Sequence, residues 1–495
     1  MRHPAALPGA WALLLLGACA PVGPDYAGPP AVERASRFSA LDEPSTAPGA
    51  VRAVAVPTAD LAEWYRGFGD PLLDSLVARG LAGSPDLRLA AARVSEARAA
   101  GAGARAALLP TLDANASFTR QRQAERSFGN FTFPAGSGIS FPTPLGAPGT
   151  EFDRFEAGFQ AAWELDLFGG VRRSVEAGEA ELAAAQEAGR DTQVALLAEL
   201  ARTYFELRGV QRRAGIARDN AASQRRTLAL VRERRAAGLA SDLDAERLAA
   251  QVEATEARLP ELAAAERAAA HALAVLLGRP PGSLAAELSA PAASPRLPAE
   301  IPVGTPDDLL RRRPDVRQAE RAVAASTARI GVATAELFPR VSLNGSLGRS
   351  GFSFGDLGHP ANTFFTAVLP QIRWRILDGG RVRAEIDANR ARAEQAAAQY
   401  EIIVLRAQRE AEDSISRLAR EQDRRTRLAA SAARAARATA LAREQYGRGL
   451  TALLEVLDAE RNQLAAQDSL VSSETAVSTG VVALYRALGG GWRAD

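Results

Sequence analysis

Lysine is absent from this chain: all 60 basic residues among its 495 are arginine, set against 58 acidic ones. Arginine and glutamate are interspersed and the net charge is only +2, so no basic stripe exists for nucleic acid to follow. Histidine occurs three times and cysteine once, too few for most metal or nucleophile constellations. His271 falls in a helical stretch and His359 in a loop, neither with a partner for acid–base or metal chemistry. No nucleotide loop, HExxH or GxSxG is found, so the sequence offers no enzyme and no resident cofactor. Proline is missing between Pro148 and Pro260 and again after Pro370, which leaves room for very long helices.

What is present is a repeat. Leu309 to Pro339 contains a copy of Ser84 to Pro110: Pro85 and Pro110 align with Pro314 and Pro339, 25 residues apart in both, and Asp86, Arg88, Val94 and Leu108 recur. Such self-similarity defines an architecture before any site is considered. Ser84-Pro85-Asp86 has the form of a helix start, a capping hydroxyl followed by proline and an acid, and the helix is expected to run to Leu109. Thr305-Pro306-Asp307-Asp308 caps another, and the Arg311 to Arg313 cluster beside these acids reads as a structural salt-bridge knot rather than an anion site.

After each copy the hydrophobic period falls to two. Leu112, Ala114, Ala116 and Phe118 alternate with Asp113, Asn115, Ser117 and Thr119, and Phe155 to Leu165 continues the pattern. Val341 to Leu347 and Phe364 to Ile376 supply two further strands. Fourteen of the 17 phenylalanines fall between 118 and 168 or between 338 and 365. Aromatics gathered in alternating strands of about ten residues resemble a transmembrane barrel, although a soluble sandwich shares the alternation. The copies are 229 residues apart before the strands (Pro110 to Pro339) and 211 after them (Trp163 to Trp374), so the difference lies in loops 123–152 and 352–363. Long helical stretches follow, Val171 to Ala237 and Arg381 to Tyr446, with turns at Gly238-Leu239 and Gly449-Leu450 and single returning helices over 242–277 and 452–488.

Met1 to Ala18 has a basic start and a short apolar core, then Leu16-Gly17-Ala18-Cys19, which resembles the lipobox of bacterial lipoproteins. Cys19 is expected to carry N-acyl and S-diacylglyceryl chains that hold the protein on a membrane. Ala20 after it resembles lipoproteins sent to the outer membrane.

Together with this lipobox, CAPVGPDY, WYRGFGDPLL, LLRRRPDV followed by AELFP, and GLTALLEVLDAERNQL resemble the TolC family of outer-membrane efflux channels, in its OprM/NodT-type lipoprotein branch. The resemblance implies a membrane protein, mainly α with β: a homotrimer whose α-helical barrel, two structural repeats per chain, joins a 12-stranded transmembrane β-barrel, four strands per chain. It implies a signal peptide at 1–18, an extended periplasmic segment at 19–57, and an equatorial region from 58–83, 278–313 and 489–495. The helical barrel takes 84–110, 171–277, 314–339 and 381–488, and the barrel hairpins 111–170 and 340–380, with extracellular loops 123–152 and 352–363. Its implied partners are a periplasmic adaptor, an inner-membrane proton-driven RND pump and outer-membrane lipid. Its function would be a passive exit duct gated at the periplasmic tip.

By motif, Glu455 and Asp458 resemble the acidic rings of that gate, and Tyr446 with Asp244 the hydrogen-bonded link that holds it closed. Thr451 stands where some members carry arginine, and Arg461, three residues after Asp458, is positioned to pair with it. The alternative is a lipid-anchored coiled-coil scaffold or adaptor without a pore, which would carry one helical hairpin and a compact β module instead.

Overall fold

The computed structural model describes residues 20–33, 35–56, 61–122, 151–290, 296–359 and 363–493. Cys19, the leader at 1–18 and loop residues 123–150 lie outside them. The chain is mostly helical with a few strands, and it divides into two compact units.

One unit contains residues up to Ala27, Ala99–Glu179 and Ala324–Glu394. Its centre is an antiparallel sheet in the order β2 (Thr111–Arg122), β3 (Glu151–Leu165), β5 (Arg340–Gly351), β6 (Phe364–Arg373). β2 and β6 are outermost. Residues opposite each other in an antiparallel pair share a face. The register therefore puts Leu112, Ala114, Ala116 and Phe118 with Phe155, Phe159, Trp163 and Leu165, and with Val341, Leu343, Leu347, Val368 and Ile372, on one largely apolar face. The other face carries Asp113, Asn115, Gln160, Glu164, Ser342, Asn344, Ser346 and Gln371. Each half has the same anchor beneath its strands: Trp163 Nε1 donates to Leu108 O and Trp374 Nε1 to Leu337 O, both at 3.0 Å. The loop expected over 352–363 contains a 3-10 turn, Phe354–Gly358, capped by Ser353 and Asp356.

In the same unit the residues after position 19 are docked rather than free. Val22 N donates to Phe168 O, and Arg173, almost fully buried, donates to Val22 O and Gly23 O and pairs with Asp25 at 2.5 Å. Gly23 sits at φ +92° against Gly331, where an added Cβ would lie 2.5 Å from the Gly331 Cα.

The second unit, Gly28–Arg98, Ala180–Val323 and Gln395–Asp495, holds most of the helix. Helix α1 (Pro71–Gly83) is capped by Asp70, which accepts from Leu72 N and Leu73 N at 3.0 and 3.3 Å and also takes the Tyr204 hydroxyl at 2.6 Å. Burial, and then the Asp70 carboxylate, push the Tyr204 phenol up to about 12. Trp64 stacks on Tyr485 at 5.0 Å. The segment expected to be extended straps α9 (Arg381–Gly447). Glu412 accepts from Ser39 N and Ala40 N at 2.7 and 2.8 Å, Asp423 from Ser45 and Thr46, and Gln422 bonds both backbone groups of Val51. β1 (Arg52–Val54) then pairs in parallel with β4 (Glu300–Pro302).

The repeat helices are α2 (Pro85–Ala106) and α8 (Pro314–Ala335). The expected cap at Ser84 is corrected: its hydroxyl is buried without a hydrogen-bond partner among the described residues, and the start rests on proline and Asp86. At α7 (Pro306–Arg312) the expected cap is present, and it takes the form of a reciprocal box between Thr305 and Asp308. Arg313 is the core of the expected knot, bonded bidentately to Asp315 at 2.9 and 2.7 Å, to Glu410 at 2.9 Å and to Ala487 O at 3.0 Å. The long helices α3 (Gly170–Ala236) and α9 have 67 residues each. The first returning helix is not single: it breaks at Ala257 into α4 (Asp242–Glu256) and α5 (Arg258–Leu276), because Pro260 has no N–H to give Glu256. Ala257 keeps helical dihedrals, φ −59° and ψ −20°. α10 (Leu453–Ala487) is unbroken. No helix among the described residues is long and apolar enough to cross a membrane.

Candidate functional site

The two helical turns close alike. α3 and α9 are followed by Gly238 and Gly449, each at φ +73°, where a side chain would be strained. Leu239 N reaches Arg234 O at 2.8 Å and Leu450 N reaches Gln445 O at 2.9 Å, the six-to-one closure of a Schellman end. The turns then differ. Ser241 and Asp244 form a capping box at the start of α4, whereas Ala452 offers α10 no side-chain cap.

The four helices meeting here share one apolar core of Leu228, Val231, Leu248, Val252, Val456 and Leu457, with Tyr446 packed against it. That core fixes which residues remain outside. Glu455 is exposed on the first turn of α10, where the helix dipole favours an acid. Asp458, also exposed, accepts from Arg461 Nη2 and from Asn462 Nδ2, both at 3.0 Å. Thr451 is half-buried in the turn.

Tyr446 and Asp244 are not brought together within the chain. The Asp244 carboxylate accepts from the Ser241 hydroxyl at 2.8 Å. Arg234 covers the Tyr446 ring at 5.0 Å while donating to Tyr446 O at 3.1 Å and Gly447 O at 2.8 Å, so a guanidinium from α3 caps the negative end of α9. Two further ties escaped the sequence reading. Arg443 holds the buried Glu460, and the Thr439 hydroxyl donates to Ala459 O at 2.9 Å. Both join residues opposite each other across the second turn, so antiparallel pairing about Gly449 was the signal available.

In chemical terms the turns present carboxylates with one-sided hydrogen bonding on a rigid apolar support, and the sheet presents one polar and one apolar face. Both arrangements suit a wall along which solutes move.

Comparisons with known proteins agree. The model of the family described as outer membrane efflux protein matches residues 76–279 and 305–490. Outer membrane protein OprJ of Pseudomonas aeruginosa is 34% identical over 99% of this chain and 97% of its own length. Nodulation protein T of Rhizobium leguminosarum bv. trifolii is 32% identical over 97% of this chain and 96% of its own. Among solved structures, the outer-membrane channel OprN superposes with a TM-score of 0.84 at 36% identity, covering 96% of this chain and 100% of that one. A chain that matches such proteins over nearly its whole length belongs to the outer membrane efflux protein family and is an outer-membrane efflux channel.

Proposed function

We propose that three copies of this chain form the exit duct of a tripartite efflux system, receiving solutes from a periplasmic adaptor and an inner-membrane RND pump. The observation that carries this reading is the sheet. Its apolar face suits lipid and its opposite face suits water, yet four strands are too few to close a barrel. Open edges are not viable in lipid, where each unpaired backbone group costs several kcal/mol, about the value for amide transfer to hydrocarbon. Pairing β6 of one copy with β2 of the next closes twelve strands. The acyl chains on Cys19 would hold each copy at the membrane.

The gate is assigned to the turns. Three-fold symmetry would gather the exposed Glu455 and Asp458 carboxylates into rings that favour cations, with Arg461 tempering Asp458, and Tyr446 and Asp244 available for contacts between neighbouring coils. The sequence alternative, a scaffold without a pore, predicts no current. The test is conductance of the purified full chain in planar bilayers, with Asp458→Ala expected to raise it. Silence of both proteins, once insertion is verified, would exclude the duct.

A further inference from the structure

At the foot of the sheet a cavity of about 670 Å³ is lined by Arg340, Arg373, Arg375 and Arg381, together with Trp374. Arg340 stands opposite Arg373 in the register, one residue from the Val341 and Ile372 pair, so both belong to the polar face of the sheet. Only two carboxylates line the space, and both are already engaged. Glu336 is ion-paired with Arg340. Glu385 accepts from Asn389 and Arg392, at 3.1 and 3.2 Å. Asp378, just beyond the strand, is occupied by the backbone amides of Gly380 and Val382, both at 2.9 Å. Arg373, Arg375 and Arg381 have no ion-pair or side-chain hydrogen-bond partner among the described residues.

The repeat supplies an independent observation. The offsets of 229 before the strands and 211 after them place Thr111, Ala162, Glu164 and Gly170 in the first copy where the second has Arg340, Arg373, Arg375 and Arg381. Both copies keep the tryptophan and its 3.0 Å bond to a leucine carbonyl. The fold therefore forms without the arginines. Three guanidinium groups without an ion-pair partner, two of them acting on Asp378 only through their charge, raise the local potential in one copy and not in the other.

The geometry points to an anion-binding belt at the foot of the polar face, formed by Arg373, Arg375 and Arg381, that takes small organic anions bearing sulfonate, phosphate or carboxylate groups as they pass along the duct. A ring of guanidinium groups in a pore selects for anions, the reverse of the acidic turns. Planar guanidinium groups also bind such oxyanions through paired hydrogen bonds. This inference rests on the duct reading, because it needs the polar face to line a lumen.

The test uses the full chain and pyranine, a trisulfonated pyrene dye, in two measurements. In planar bilayers, pyranine added from the side of the sheet loops blocks the current. In detergent, its fluorescence anisotropy reports binding directly. The triple variant R373Q/R375Q/R381Q is expected to need at least tenfold more dye in both measurements, the triple Arg→Lys variant to stay within threefold of the parent, and R383Q, which lies outside the cavity, to leave both unchanged. Equal block and binding by parent and triple glutamine variant would overturn the belt. Loss of co-purified phospholipid in that variant, with dye block retained, would overturn it in favour of a lipid headgroup contact. Dye binding without any current would sink the duct and keep the anion site, whereas current without dye binding would sink the anion site alone.

Discussion

Arg443 reaches one carboxylate oxygen of Glu460 with two nitrogens, Nε at 2.9 Å and Nη2 at 2.7 Å, and Glu460 is only 1% exposed. The second oxygen is buried without a partner among the described residues, so this carboxylate depends on a single guanidinium. Arg443→Met leaves a buried charge unpaired. Arg443 is itself a third exposed, so the expected cost is about 2 kcal/mol, near the range for hydrogen bonds to charged groups, not the larger penalty of a fully buried pair. Hydrogen exchange over 439–460 should accelerate selectively, and adding Glu460→Gln should restore part of the protection.

Near the C-terminus, two guanidinium groups lie over the Trp492 ring, Arg190 at 4.8 Å and Arg317 at 5.2 Å from its centroid, and Glu187 pairs with both at 2.7 Å. Gln193 fixes the neighbouring Gly491 carbonyl at 2.6 Å. Trp492→Ala is expected to cost about 3 kcal/mol, the ordinary loss for truncating a buried tryptophan. Trp492→Phe should cost less than half of that. Thermal unfolding of the solubilised protein reads both.

Asp191 gives a pH prediction. Burial, and then the nearby Asp315 carboxylate, raise its pKa above the ordinary 3.8, against the pull of Arg313 and Arg486. A raised carboxyl binds more protons folded than unfolded, so its contribution to stability falls as pH rises from the unfolded value through the folded one. Asp191→Asn should therefore raise the thermal midpoint at pH 7 and leave it unchanged near pH 3, where both states are protonated. A midpoint lowered at pH 7 would mean that the Asp191 charge is stabilising.

The Gly23 contact with Gly331 predicts a backbone effect. Gly23→Ala meets both a left-handed φ of +92° and a 2.5 Å overlap, so residues 21–25 should leave Arg173. Proteolysis of the N-terminal stretch should speed up severalfold, and Arg173→Ala should reproduce it. If only the glycine variant is cleaved faster, the guanidinium contributes little to docking.

Much of this organisation was legible in the sequence. The repeat, the four strands and the 67-residue helices follow from periodicity and from where proline is missing, since such patterns need only local rules. Asp458 and Arg461 pair as their spacing suggests. What could not be read depends on distant partners. Ser84 has the right type for a cap, but packing buries its hydroxyl. Asp244 has the right position for a link between neighbouring coils, and a single chain shows only its local bond to Ser241, three residues away. The N-terminal strap on α9 joins residues about 370 apart through Gln422 and Glu412, and no local pattern announces such a bond.

The order of the sheet also sets a clock for each newly made copy. β2 and β6 carry rows of amides and carbonyls that no strand of the same chain answers among the described residues. Until such a row meets its complement it will accept any extended segment that drifts near, including another unfinished copy in the wrong register. The dangerous interval therefore runs from synthesis until those two edges are covered, and cells that make this protein have reason to escort it briefly and deliver it quickly.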